Sequence, residues 1–75
     1  MTRHFVVAYK RSAGKLLELG EFDTAKEAHA RRMELDLQYR TDHDVEVAVL
    51  GSDSLDQLKR THSRYFKTFA EIAKG

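Results

Sequence analysis

Cysteine and proline are both absent from this 75-residue chain. Without cysteine there is no disulfide framework, no thiolate zinc site and no thiol nucleophile, which favours a reducing compartment. The apolar run near the amino terminus, Phe5 to Tyr9, is far too short for the core of a signal peptide or for a membrane span. We therefore expect a soluble cytoplasmic protein without a membrane partner.

Glycine is scarce, and its four positions (14, 20, 51 and 75) do not form a phosphate-binding loop. The serine, histidine and aspartate side chains are not accompanied by a strained nucleophile elbow or a glycine-rich oxyanion turn. The sequence thus predicts no catalytic residues and no cofactor, and we expect that the protein is not an enzyme. An enzyme would need a pocket built between subunits.

Excess charge of either sign is also missing, because the net charge is +1. The distribution is uneven, however. Residues 41–58 hold five acidic side chains and no Lys or Arg, whereas residues 59–75 hold five basic side chains and one acidic one.

A chain of this length forms a single domain, residues 1–75, that buries only about 60% of its unfolded surface. Its core is thin and leaves little room for a deep pocket.

The first half of the chain predicts a β-hairpin followed by a helix. "HFVVAYK" and "KLLELGEF" have the composition of strands, and "RSAG" between them suits a four-residue loop in which Gly14 takes a positive φ. A bulge at Gly20 would bring three apolar residues of the second strand to one face: Leu17, Leu19 and Phe22. Thr24 and Glu27 then form a capping box that begins a helix over residues 25–39.

That helix carries two apolar stripes, although packing on one sheet requires only one. The first stripe contains Ala25, Ala28, Leu35 and Tyr39, and the second contains Ala30, Met33 and Leu37. The second stripe is therefore a candidate contact with another element or another chain.

The second half predicts one strand and one long helix. "VEVAVL", residues 45–50, alternates clearly, and Ser54 with Gln57 forms another capping box. From residue 54 to 73 the apolar side chains occupy one arc of a helix and the cations occupy the opposite side. Rings and cations then point apart, whereas a base-stacking surface needs them together. We interpret this segment as one continuous amphipathic helix.

The order ββαβα predicts an α+β two-layer sandwich. A three-stranded, mainly antiparallel sheet of order 2-1-3 would have both helices on one face. The other face would then carry an apolar group that offers a rival surface for self-association: Val6, Ala8, Leu16, Ala48 and Leu50.

The length of the last helix predicts a homodimer. Such a helix is about 30 Å long, whereas the strands span about 17 to 24 Å, so its end would extend beyond the sheet. In the alternative, the helix bends or frays and its tail folds back. The predicted association surface consists of Met33, Leu37, Tyr65, Phe66, Phe69 and Ile72.

The four histidines, His4, His29, His43 and His62, lack partners for catalysis or metal binding. "TDHDVE" gathers three carboxylates around His43, but a polar loop before a strand uses such residues for turns and solubility. His62 has no carboxylate three or four positions away, which is typical of a partly buried, hydrogen-bonded residue. We expect no metal site.

A nucleic-acid-binding protein is the alternative function. It would use the basic face of the C-terminal helix, extended by residues of the first hairpin: Lys10, Arg11, Lys15, Arg60, Arg64, Lys67 and Lys74. The near-neutral net charge and the acidic segment before the helix argue against it. The favoured interpretation is a small accessory or interaction module that self-associates, with an unidentified protein partner as a further candidate.

Overall fold

The structure is a computed structural model that describes residues 2–66 of the chain. It contains three strands, two α-helices and a 3₁₀ turn: β1 (Arg3–Lys10), β2 (Lys15–Phe22), α1 (Ala25–Gln38), β3 (Val45–Ser52), α2 (Leu55–Thr61) and the turn Ser63–Tyr65. The α+β class and the strand order β2-β1-β3 are as predicted. None of the helices within this range has the length and apolar character needed to cross a membrane.

β1 is the central strand and runs antiparallel to both of its neighbours. Val6 lies opposite Gly20 of β2 on one side and opposite Val49 of β3 on the other. The loop between β1 and β2 has the predicted four residues, and Gly14 ends it with a φ of 59°. A residue with a side chain would be strained there.

The sequence predicts a β-bulge at Gly20, but the bulge lies at Leu17. Ala8 pairs with Glu18 whereas Tyr9 pairs with Leu16, which leaves Leu17 as the extra residue of β2. Gly20 instead provides room for an aromatic ring, because a Cβ at this position would lie 2.9 Å from the ring of Phe22. Leu17 and Phe22 pack on the α1 side of the sheet, whereas Leu19 is 37% exposed.

α1 begins as its capping box predicts and covers one face of the sheet. The Thr24 hydroxyl accepts a hydrogen bond from the Glu27 N–H at 3.2 Å and donates one to the Glu27 carboxylate at 2.9 Å. Ala28 and Leu35 are fully buried, and they pack in one cluster with Val6 and Ala8 of β1. The helix ends at Gln38, one residue before the predicted boundary.

The segment that follows α2 covers the opposite face of the sheet. Tyr65 and Phe66 cluster with Val7 and Tyr9 of β1. Successive residues of a strand point to opposite faces, so this cluster lies across the sheet from Val6 and Ala8. All five residues from Phe5 to Tyr9 are buried, and both faces of β1 therefore need cover. α1 covers one of these faces, and Tyr65 with Phe66 covers the other.

The predicted continuous helix over residues 54–73 is also wrong, because α2 ends at Thr61. The Thr61 hydroxyl donates to the carbonyl oxygen of Gln57 at 3.1 Å, a bond back into the preceding turn that often bends helices. His62 caps the helix end, and the 3₁₀ turn follows directly. A straight helix that extends beyond the sheet therefore does not form within the described residues, and the part of the prediction beyond residue 66 lies outside them.

Candidate interaction surfaces

Two large apolar side chains of α1 are exposed on the side of the helix that faces away from the sheet. Met33 and Leu37 are each 68% exposed. They lie four positions apart, so their side chains are neighbours on the helix surface. At 100° per residue they project away from the buried residues Ala28 and Leu35. The second apolar stripe predicted for this helix is therefore present and has no cover within the described part of the chain.

The charged side chains of α1 near Met33 and Leu37 form ion pairs. Arg31 bonds to Glu18 of β2 at 2.5 Å and to Glu34 at 3.0 Å, and Arg32 lies 3.7 Å from Asp36. The hydrogen bond that Arg31 donates to Glu18 is the largest of the effects that raise the pKa of the Arg31 guanidinium. Because these charges already have partners, Met33 and Leu37 form a small apolar surface with a polar rim.

Tyr65 was predicted to be an association residue, but it belongs to the core of its own chain. It is 4% exposed, and its ring meets the ring of Tyr9. Phe66 is half-buried and packs against the same cluster. The surface predicted on the C-terminal segment therefore loses Tyr65 as an exposed contact. Phe69 and Ile72, its other members, lie outside the described residues.

Glu46 holds the segment after α2 to the sheet, and the sequence-based prediction did not include it. Its carboxylate accepts hydrogen bonds from the Tyr65 hydroxyl and from Arg64, and Arg11 lies 3.4 Å away. The hydrogen bond from Tyr65 is the main cause that lowers the pKa of Glu46, with further contributions from the two arginines against the opposing effect of burial. Burial, and then Glu46, raise the pKa of Tyr65.

The strand pattern contains a signal for this role. Glu46 shares its face of β3 with Ala48 and Leu50, and it is the one charged residue of that strand. A charged side chain on a largely covered apolar face costs free energy unless it is paired. The Tyr65–Glu46–Arg64 contacts provide that pairing.

The predicted nucleic-acid residues are gathered around carboxylates where the structure describes them. Lys10 lies 3.2 Å from Asp42 and 3.8 Å from Asp44, and both Arg11 and Arg64 contact Glu46. Lys15 and Arg60 are exposed. Lys67 and Lys74 lie outside the described residues. The cations that come together at this end of the sheet are therefore matched by acidic groups, which weakens the attraction for a phosphate backbone.

The expected separation of rings and cations also fails at one position. The Arg64 guanidinium lies over the ring of Tyr65, with Cζ 4.3 Å from the ring centroid. This is a cation–π contact within one chain. Because Tyr65 is almost fully buried, its ring is not available to stack on a nucleic-acid base.

The acidic loop before β3 forms hydrogen bonds with the end of β1 and with the loop that follows β1. Asp44 accepts hydrogen bonds from the backbone N–H and the hydroxyl of Ser12, and the hydroxyl bond is the largest effect lowering the pKa of Asp44. Asp42 accepts from the Asp44 N–H at 3.1 Å and from Lys10. Within residues 2–66, no group of three or more His, Asp or Glu side chains is placed to hold a metal ion.

The apolar sheet face proposed as a rival association surface does not exist as one surface. The register places Val6 and Ala8 beside Val49 and Val47, all on the α1 side. The remaining members, Leu16, Ala48 and Leu50, lie on the opposite face in the cluster that contains Tyr65. The prediction was wrong because it joined residues of β1 and β3 without the register that pairs the two strands.

Comparison with known proteins finds no matching family model and no significant match among curated proteins or solved structures. Any functional conclusion must therefore rest on the contacts and exposed surfaces of this chain.

Proposed function

We propose that this domain is a non-enzymatic, cytoplasmic interaction module that self-associates as a homodimer. The observation that supports it is the pair Met33 and Leu37, each 68% exposed on the outer side of α1. A small protein gains free energy when adjacent apolar side chains of this kind become covered. The absence of cysteine is compatible with a reducing compartment.

The size of this surface sets the expected strength of association. Complete burial of an exposed Met or Leu side chain contributes about 1.5–3 kcal/mol. In a two-fold interface each residue would be buried twice, once on each copy. Loss of translational and rotational freedom opposes this by roughly 4–15 kcal/mol. We therefore expect a weak dimer, with a dissociation constant in the micromolar range or above unless further contacts contribute.

The double variant Met33→Gln/Leu37→Gln tests the proposal. Glutamine has a helix propensity close to that of leucine and methionine, and both positions are exposed, so α1 should remain folded. Leu19→Gln is the matched control, because it makes the same kind of change at the third exposed large hydrophobic residue in the described part of the chain. Sedimentation velocity over a concentration series measures the dissociation constant of each protein.

We expect the double variant to weaken association at least tenfold and the control variant to leave it unchanged. Circular dichroism verifies that both variants are folded. Equal association by wild type and double variant would show that Met33 and Leu37 do not form the interface. A wild-type protein that remains monomeric at millimolar concentration would overturn the proposal of self-association itself.

A further inference from the structure

β3 has one free edge within the described residues, because the sheet order places it next to β1 only. The Arg11 N–H donates to the Asp44 carbonyl at 2.9 Å, which sets the alternation of hydrogen bonds between the two strands. The backbone groups of Glu46, Ala48 and Leu50 therefore point towards β1. Those of Val47, Val49 and Gly51 point away from it and line the free edge.

The backbone of Val45 agrees with this alternation. Its N–H, which also points away from β1, donates to the carbonyl of Asp42 at 3.2 Å. Beyond this bond, the outward groups of Val47 and Val49 have no strand partner in the part of the chain that the structure describes. Unpaired backbone groups along an edge strand are a template for pairing with another strand.

The two edges of the sheet differ in their protection against such pairing. β2 carries Lys15, Glu18 and Glu21 and has the bulge at Leu17, and charges and bulges both discourage edge-to-edge contact. β3 is regular, contains no lysine or proline, and has Glu46 as its single charge. Its valine-rich sequence has high β-propensity. The edge of β3 is therefore the one suited to accept a further strand.

We propose that β3 pairs antiparallel with β3 of a second copy of this chain, which joins the two sheets into one of six strands. The inference rests on the proposed self-association and adds a contact surface separate from Met33 and Leu37, so a chain that uses both surfaces assembles beyond a dimer. The two-fold axis passes between Ala48 and Ala48 of the second copy. Val47 and Val49 of each chain then form hydrogen-bonded pairs with Val49 and Val47 of the other.

The hydrogen-bond alternation and the charges of β3 both permit a second copy at this edge. In the proposed register Glu46 lies opposite Leu50 of the second copy, so like charges do not face each other across the new strand pair. Glu46 already has Tyr65 and Arg64 as partners within its own chain and needs no cation from a partner. β3 is thus complementary to itself in hydrogen bonding, and the pairing places no like charges opposite each other.

Amide hydrogen exchange measured by NMR at low micromolar and at millimolar concentration tests the pairing. We expect exchange at Val47 and Val49 to be slow at high concentration and to become at least tenfold faster on dilution. The amides of Ala48 and Leu50 are the internal control, because they bond to β1 in both states. This experiment needs no variant and therefore does not depend on a substitution that could unfold the domain.

A cysteine cross-link provides the second measurement. The chain has no cysteine, so Ala48→Cys introduces a single thiol. Directly opposite residues of a non-hydrogen-bonded antiparallel pair have Cα atoms about 4.5 Å apart, which lies within the range of disulfides. We expect mild oxidation to give a covalent dimer of this variant. Leu19→Cys, on the protected β2 edge, should give far less.

The outcomes separate this inference from the proposed function. If the protein dimerises while exchange at Val47 and Val49 does not depend on concentration, the edge pairing is overturned and self-association remains. Slow exchange of both amides at every concentration also overturns it, because the edge would then be covered within one chain. If sedimentation shows only monomer at all concentrations, both proposals fail.

Discussion

The rings of Tyr9 and Tyr65 meet edge to face, with their centroids 5.3 Å apart and their planes at 90°. Tyr9 belongs to the central strand, and Tyr65 ends the 3₁₀ turn that follows α2. The Tyr65 hydroxyl donates a hydrogen bond to Glu46 on β3, the strand next to β1. Tyr65 therefore joins the segment after α2 to two strands, through an aromatic contact and a hydrogen bond.

Tyr65→Ala should destabilise the domain strongly. Removal of a buried aromatic ring leaves a cavity and typically costs about 3–5 kcal/mol. Tyr65→Phe is the matched variant, because it keeps the ring and removes only the hydroxyl, at a cost of about 1 kcal/mol. Urea unfolding followed by circular dichroism measures both. If Tyr65→Ala were no less stable than Tyr65→Phe, the ring would not anchor the segment.

Glu46 should make stability depend on pH in the acidic range. Its folded pKa is lowered below the ordinary value of 4.5, first by the hydrogen bond from Tyr65. A carboxylate with a lowered folded pKa stabilises the protein above its unfolded pKa, and this contribution is lost as the pH falls through the folded pKa. The difference in unfolding free energy between wild type and Glu46→Gln should therefore shrink on acidification below about pH 4.

Tyr65→Phe tests the cause of that lowered pKa. Without the hydroxyl, the pKa of the Glu46 carboxyl should rise towards its ordinary value, although Arg64 and Arg11 still attract the carboxylate. NMR titration of the Glu46 carboxyl carbon in both proteins measures the change. An unchanged pKa in the variant would contradict the assigned hydrogen bond.

Gly14→Ala should destabilise the first hairpin. An alanine at a φ of 59° costs about 1 kcal/mol, which lowers the melting temperature of a domain of this size by about 4–8 °C. Gly51→Ala is the control, since a Cβ there meets only Thr2 at an ordinary 3.5 Å. Melting curves of the two variants should therefore differ. Equal melting temperatures would contradict the special role of Gly14.

Nucleic-acid binding should be weak even at low salt. Lys10, Arg11 and Arg64 all lie against carboxylates of the same chain. A labelled single-stranded oligonucleotide titrated at two salt concentrations measures the interaction by fluorescence anisotropy. Tight binding that falls steeply with added salt would indicate phosphate contacts and would favour the alternative function.

Local patterns in the sequence were sufficient to predict the hairpin, the loop with Gly14, and the starts of both helices. Each depends on a few adjacent residues, such as Thr24 with Glu27 or Ser54 with Gln57, whose side chains bond to the nearby backbone. The strand order also followed from the element order. The hairpin loop and the helix starts are set by short-range chemistry.

The end of α2 could not be predicted in the same way. Helical periodicity continues through residues 62–66, and no glycine or proline interrupts it. The chain nevertheless leaves the helix after Thr61, since Tyr65 gains its contacts with Tyr9 and Glu46 in the turn that follows. Those partners lie far away in the sequence, so tertiary contacts override the local pattern.

The cover on both faces of β1 has a visible signal in the sequence. The run Phe5 to Tyr9 is apolar without alternation, which is typical of a strand covered on both faces. The residues of the candidate surfaces also divide into those predictable from local sequence and those that depend on distant contacts. Exposure of Met33 and Leu37 followed from the helical period, whereas burial of Tyr65 and the role of Glu46 required the pairing of distant elements.

Sedimentation equilibrium of the wild-type protein from low micromolar to millimolar concentration tests self-association most directly. We expect a weight-average mass that rises with concentration from the monomer value of 8.7 kDa, to twice that value if one of the two surfaces forms a contact and beyond it if both do. A mass that stays at the monomer value over the whole range would contradict it.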